Sequence, residues 1–171
     1  MFYKLKSDNT DHHMIYSMLG IPKEEHDLID LYQNKARIIY KYAGSIMEDL
    51  ALMCLKGEKI RIDNTISSSP KKFEIDCYKE PYAIEIKWRD ATTDGDHIKK
   101  EENRLKCISQ KGFIPVRVMF FEPNRENAKK IQTKLKKLYK DLGGEYYSGE
   151  QAWEYIKMMS GIDLKKVIQE A

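Results

Sequence analysis

The stretch 73-FEIDCYKEPYAIEIK-87 decides how this chain reads. In Phe73–Tyr78, Phe73, Ile75 and Cys77 alternate with Glu74, Asp76 and Tyr78. In Tyr82–Trp88, Tyr82, Ile84, Ile86 and Trp88 alternate with Ala83, Glu85 and Lys87. A period of two puts successive side chains on opposite faces, so each segment predicts a half-buried strand. Lys79-Glu80-Pro81 is a short polar connection, and the two strands are expected to pair antiparallel. Glu85 and Lys87 then share a face, and Asp76 and Glu74 share one across the hairpin. An even loop sets Asp76 opposite or diagonal to Glu85, with β-carbons roughly 5–8 Å apart. An odd loop needs a bulge to reach the same arrangement.

Those residue types at one sheet edge define a chemistry. Magnesium takes hard oxygen ligands and keeps several of its waters. Two carboxylates can hold such an ion, which lowers the pKa of bound water and stabilises charge developing on phosphorus. An ammonium two residues along the strand can orient the water or neutralise transition-state charge. The competing reading is a half-exposed hairpin carrying paired charges, because an Asp…Glu-x-Lys string also arises by chance. Trp88 falls on the opposite face from Glu85 and Lys87 and reads as core.

The segment resembles the PD-(D/E)xK nuclease superfamily. Ile75-Asp76 stands where that superfamily has Pro-Asp, and Glu85-Ile86-Lys87 stands as its Glu-x-Lys. The stretch 87-KWRDATTDGDH-97 is also similar to type II restriction endonucleases of the ApaLI-like group. The resemblance implies magnesium-dependent hydrolysis of double-stranded DNA at a specific sequence. It implies Asp76 and Glu85 as metal ligands and Lys87 as the catalytic lysine. It also makes Glu48, on a preceding helix, a candidate for reaching the metal directly or through water. A helical wheel sets Glu48 away from the apolar stripe, so a structural or solvent role competes. A homodimer acting on a palindromic site follows from the restriction-enzyme reading rather than from particular residues. A cognate DNA methyltransferase is the expected genetic partner. Two other readings stay open: a structure-specific or repair nuclease of the same fold, such as a Holliday-junction resolvase, and a catalytically silent DNA-binding protein.

The order of elements around the motif agrees with this reading. Positions 37–55 predict a helix with Ile39, Ala43, Ile46, Leu50 and Cys54 on one face, packed inside the domain and ended by Gly57. The segment 59–65, KIRIDNT, alternates as a strand. A helix is expected over 96–110 with Ile98, Glu102, Leu105 and Ile108 or Ser109 along one face. A buried strand follows over 114–121, then a helix over 124–142 with Ile131, Leu135 and Leu138 inward. The order is the α/β, restriction-endonuclease-like αβββαβ core, a central mixed sheet flanked by helices. It occupies about residues 36–142 of a single domain spanning 1–171, with helical flanks at each end. The N-terminal flank holds a helix starting near Glu24. The C-terminal flank reads as helices over 148–159 and 162–169, split at Ser160-Gly161.

The chain has 171 residues, of which 33% are charged, and a formal net charge of +3. Mean hydropathy is −0.64 and the pI about 8.6. The charge balance is mildly basic, weak support for a nucleic-acid partner. Lys99, Lys100, Arg104, Lys106 and Lys111 crowd the helix after the motif, where Lys99, Lys100 and Arg104 are candidates for meeting phosphates. The lysines of the next helix read equally well as a solvated face. In the loop Arg-Asp-Ala-Thr-Thr-Asp-Gly, Arg89, Thr92 and Thr93 are candidates for DNA contact. Asp94 and Asp96 read first as helix caps, and His97 is not needed as a base. His12-His13 lies far from any acid cluster in the pattern, and no metal role is expected there. No apolar run approaches the ~20 residues of a membrane span, and no signal core is present. Cys54, Cys77 and Cys107 lack metal-ligand spacing and read as core thiols of a cytoplasmic protein.

Overall fold

The computed structural model describes residues 9–90, 92 and 95–171. The chain forms two compact units, Met1–Ser45 and Ile46–Ala171. The first holds α1 (His13–Met18) and the part of α2 (Lys23–Leu55) that runs to Ser45. Among its described residues, the buried ones are His26 and Asp30.

The second unit begins within α2 and carries the sheet. Its elements are β1 (Glu58–Asp63), β2 (Lys72–Lys79), β3 (Tyr82–Arg89), α3 (Asp96–Gln110), β4 (Ile114–Phe121), α4 (Glu126–Asp141), β5 (Glu145–Ser148), α5 (Glu150–Ser160) and α6 (Leu164–Glu170). The five strands lie in the order β1-β2-β3-β4-β5. β1, β2 and β3 pair antiparallel, whereas β3–β4 and β4–β5 pair parallel. A parallel neighbour needs a crossover, and α3 and α4 supply the two that the sheet requires. The architecture is the expected mixed α/β sheet flanked by helices, with a fifth strand and α1 beyond the elements read from sequence.

Two apolar layers sandwich the sheet. Met47, Ala51, Cys54 and Leu55 of α2 pack with Cys77, Ile84, Ile86, Val116, Val118 and Phe120 of the strands and with Trp153 and Ile156 of α5. On the other face Phe73, Ile75 and Ala83 meet Leu105, Cys107 and Ile108 of α3 and Tyr139 of α4. Trp88 is half-buried against the first layer. All three cysteines are buried and free.

The inward stripe of α2 differs from the expected one. Ile39 and Ile46 are exposed, while Met47, Ala51, Cys54 and Leu55 are buried. Both stripes have helical spacing, and only the position of the sheet chooses between them. In α3 the inward acid is Glu101, not Glu102. Asp96 does not cap α3: it is the first helical residue, and Gly95 holds the cap position. Asp94 lies outside the described residues.

Gly57 follows the helix for a reason of contact. A β-carbon there would lie 2.7 Å from the Tyr78 carbonyl oxygen and closer still to Cys77 Sγ, so only glycine lets β1 begin this near β2. Among the described residues no helix is long and apolar enough to cross a membrane.

Candidate active site

The loop between β2 and β3 is Glu80-Pro81, an even connection. It sets Cys77 opposite Ile84 and Tyr78 opposite Ala83. The β2–β3 ladder stops at Cys77, one residue short of Asp76. On the other side of β2, Glu58 pairs with Tyr78 but Ile60 pairs with Ile75. Lys59 of β1 therefore faces two residues of β2, Asp76 and Cys77, which is a β-bulge. Strict alternation fails there: Ile75 joins the α3 layer, Cys77 the α2 layer, and Asp76 turns toward Glu85 and Lys87. Glu74 stays out on the edge pair, 3.0 Å from Arg61.

Asp76, Glu85 and Lys87 meet. Lys87 Nζ lies 2.6 Å from Glu85 Oε1 and 3.9 Å from Asp76 Oδ2. The Ile86 N–H donates to Asp76 Oδ2 at 2.9 Å. Both carboxylates are buried. Burial and then the Glu85 charge push the Asp76 carboxyl up to about 7, against the pull of Lys87 and the Ile86 N–H. Burial pushes Glu85 the same way, but Arg104, Lys87 and Arg117 outweigh it and hold Glu85 well below the usual carboxylate range. Burial pulls the Lys87 ammonium down, and the Glu85 and Asp76 charges outweigh this and raise it above the usual lysine range.

Glu48 belongs to the same electrostatic cluster. Burial raises its carboxyl, Lys87 and Lys59 oppose this, and Glu85 adds to it. Its side is thus nearer the motif than the wheel implied, because the wheel was centred on the wrong stripe. Lys59, opposite the bulge, pairs with Asp49 at 3.2 Å and feels Glu48 and Asp76.

Behind Glu85 lies a buried ionic network that sequence reasoning did not anticipate. Arg117 stands beside Glu85 on the neighbouring strand and is fully buried. Its guanidinium reaches Asp90 at 2.5 Å and Glu101 at 3.5 Å. Glu101 also accepts from Arg104 at 2.9 Å and from the Tyr139 hydroxyl at 2.5 Å. Arg104 completes the circuit by a short ion pair to Glu85 Oε2. A buried charge survives only when paired and hydrogen-bonded, and here each has an ionic partner, although Nε of Arg104 and of Arg117 is left without an acceptor. The available signal was Arg117 itself, a lone cation inside the apolar run Ile-Pro-Val-Arg-Val-Met-Phe-Phe.

The expected DNA-contact residues divide. Lys99 and Lys100 are exposed on α3, and Arg89 is exposed at the end of β3. Thr92 is half-buried, and its N–H donates to Asp90 Oδ1 at 3.1 Å. Thr93 lies outside the described residues. Arg104 is turned inward with its side chain 11% exposed, because Glu85 and Glu101 both claim it. It holds the site from behind rather than meeting phosphates. His97 Nε2 lies 3.5 Å from Asp90 Oδ2, away from the acid pair.

No curated protein and no solved structure matches the chain. The family model described as ApaLI-like restriction endonuclease matches residues 2–171. That match takes in nearly every residue, including both strands of the acid pair and the α3 and β4 network behind them. The chain belongs to the ApaLI-like restriction endonuclease family.

Proposed function

We propose that this chain is a magnesium-dependent type II restriction endonuclease of PD-(D/E)xK chemistry, cutting both strands of duplex DNA at a specific sequence. The observation that carries the reading is the meeting of Asp76, Glu85 and Lys87 at the end of the β2–β3 ladder. The donor set fits magnesium: two adjacent carboxylates offer hard oxygens. The raised Asp76 carboxyl supports the same fit. Burial first and the Glu85 charge second raise it beyond what Lys87 offsets, and a divalent cation held between the two acids would favour the ionised form.

Asp76 and Glu85 would hold the ion, with Glu48 as a further carboxylate within electrostatic reach. When bound, magnesium supplies a water of lowered pKa and charge stabilisation on the phosphoryl oxygens. Lys87 orients the attacking water and offsets negative charge as it grows on phosphorus. Arg104 and Arg117 keep Glu85 ionised, so it needs no deprotonation before binding. Lys99, Lys100 and Arg89 contribute phosphate contacts that add sequence-independent affinity. The working unit is a homodimer, which matches a palindromic site with one copy per strand. The protein acts in the cytoplasm, beside a methyltransferase that protects host DNA.

The test is incubation of the purified protein with unmethylated phage DNA, with magnesium or EDTA, beside Lys87→Ala and Asp76→Ala. Discrete fragments that need magnesium and vanish in both variants are expected. A wild type that shifts DNA on a gel yet never cuts it would overturn the reading in favour of a silent binder. Cutting confined to branched or nicked DNA would overturn it in favour of a structure-specific nuclease.

A further inference from the structure

The described residues of the Met1–Ser45 unit bury little apolar surface among themselves. Its described buried residues are His26 and Asp30, and Met14, Ile15, Met18, Leu19 and Leu28 are exposed. It has no cysteine. Units of about 40 residues without an apolar core generally need a metal, a disulfide or a partner.

Asp30 takes three side chains from the α1 segment at once. His12 Nε2 lies 3.0 Å from each of its oxygens, His13 Nε2 lies 2.9 Å from Oδ2, and the Tyr16 hydroxyl donates to Oδ1 at 2.9 Å. One ligand atom from each of His12, His13 and Asp30 lies within 4.8 Å of the other two. Tetrahedral zinc with bonds near 2.0–2.1 Å separates its donors by about 3.3 Å, a few tenths more than the two His–Asp30 contacts and inside the 4.8 Å that bounds all three donors. Two imidazoles and a carboxylate suit zinc and its first-row neighbours. Magnesium prefers oxygen alone.

We propose that His12, His13 and Asp30 form a structural binding site for a transition-metal ion of the zinc class, clipping α1 to the first turns of α2. In the metal-free protein Nε2 of each imidazole donates to Asp30. With the ion bound, each Nε2 coordinates it and the ring proton sits on Nδ1. Tyr16 keeps its hydrogen bond to Asp30 and orients the carboxylate. A water completes the four-coordinate set. His26, buried beside the His13 ring at 5.0 Å between centroids, donates to the Ile21 carbonyl at 3.0 Å and packs the turn that brings α1 back to Asp30. This site is separate from the acid pair of the sheet and stands whether or not the chain cuts DNA.

Cobalt(II) is the probe, added to the full-length, metal-stripped protein carrying Asp76→Asn and Glu85→Gln so that the sheet carboxylates cannot hold it. One equivalent should bind with the intense visible bands of tetrahedral cobalt, and zinc should displace it. His12→Gln/His13→Gln keeps an amide donor for Asp30 but no imidazole. It should retain the far-ultraviolet circular dichroism of its parent and lose cobalt affinity by more than about 100-fold. Zinc should also slow trypsin cleavage at Lys23 and Lys35 in the parent and not in that variant. Absence of tetrahedral cobalt bands, or bands that persist in the double glutamine variant, would overturn the proposal.

Discussion

The Asp76 carboxylate accepts the backbone N–H of Ile86 at 2.9 Å, where the β2–β3 ladder has stopped. A side chain takes over a hydrogen bond at the point where strand pairing gives out, and this fixes Asp76 beside Glu85. The position is costly for an anion. Asp76 is pushed up to about 7 by burial and by Glu85. A carboxyl raised on folding binds its proton more tightly in the native state, so stability is present below the unfolded value and is lost as pH rises toward 7. In EDTA, wild-type stability should fall between about pH 4 and pH 7 by up to about 4 kcal/mol. Asp76→Asn should remove that fall and melt higher than wild type at pH 8. A thermal melt series of both proteins checks it, and an unchanged pH slope in Asp76→Asn would refute it.

If Asp76 holds magnesium, as proposed above, the same proton competes with the ion. With Asp76 at about 7, the ionised fraction rises about tenfold between pH 6 and pH 8. Glu85 contributes no such dependence, because Arg104, Lys87 and Arg117 hold it ionised throughout. Magnesium affinity should therefore tighten by about tenfold across that range, with proton release on binding. Calorimetry in two buffers of different ionisation enthalpy measures both quantities. Affinity independent of pH would count against Asp76 as a ligand.

The sheet was legible because strands announce themselves by local alternation, and β3 and β4 carry long apolar, β-branched runs. The even Glu80-Pro81 connection fixed the β2–β3 register, which points Asp76 toward Glu85 although the ladder itself ends at Cys77. Four features were not legible. The bulge at Asp76 and Cys77 depends on β1 register, which no single strand encodes. The inward stripe of the part of α2 in the second unit depends on where the sheet lies, so Ile46 and Met47 could not be ranked by spacing. Arg104 looked like one more basic residue in a charged helix. Its burial follows from Glu85 and Glu101 lying under it, a tertiary fact. The strand β5, Glu-Tyr-Tyr-Ser, was too short for periodicity to register.

Arg117 is the test of the buried network. It is fully buried between Asp90 and Glu101. Arg117→Met keeps volume and removes the charge, leaving both acids without their shared partner. Breaking one member of a buried ion network costs about 3–5 kcal/mol. Urea unfolding at pH 7 should show a loss of that order. Arg117→Lys should recover part of it, since an ammonium restores charge but not the two-armed geometry. A loss below about 1 kcal/mol in Arg117→Met would mean that Asp90 and Glu101 find other partners.

Glu48 separates a metal-linked role from a purely structural one. Its carboxyl is raised by burial and tied electrostatically to Lys87, Lys59 and Glu85. If it holds a water of the metal, Glu48→Gln should leave the melting temperature near that of wild type. It should also raise the magnesium concentration for half-maximal cleavage by roughly 10–100-fold, the usual effect of losing a group that orients bound water. Saturating magnesium should restore most of the rate, because Asp76, Glu85 and Lys87 are untouched. A purely structural Glu48 gives the opposite split: a lower melting temperature and an unaltered magnesium requirement. Cleavage rates over a magnesium series, read beside thermal melts in EDTA, distinguish the two directly.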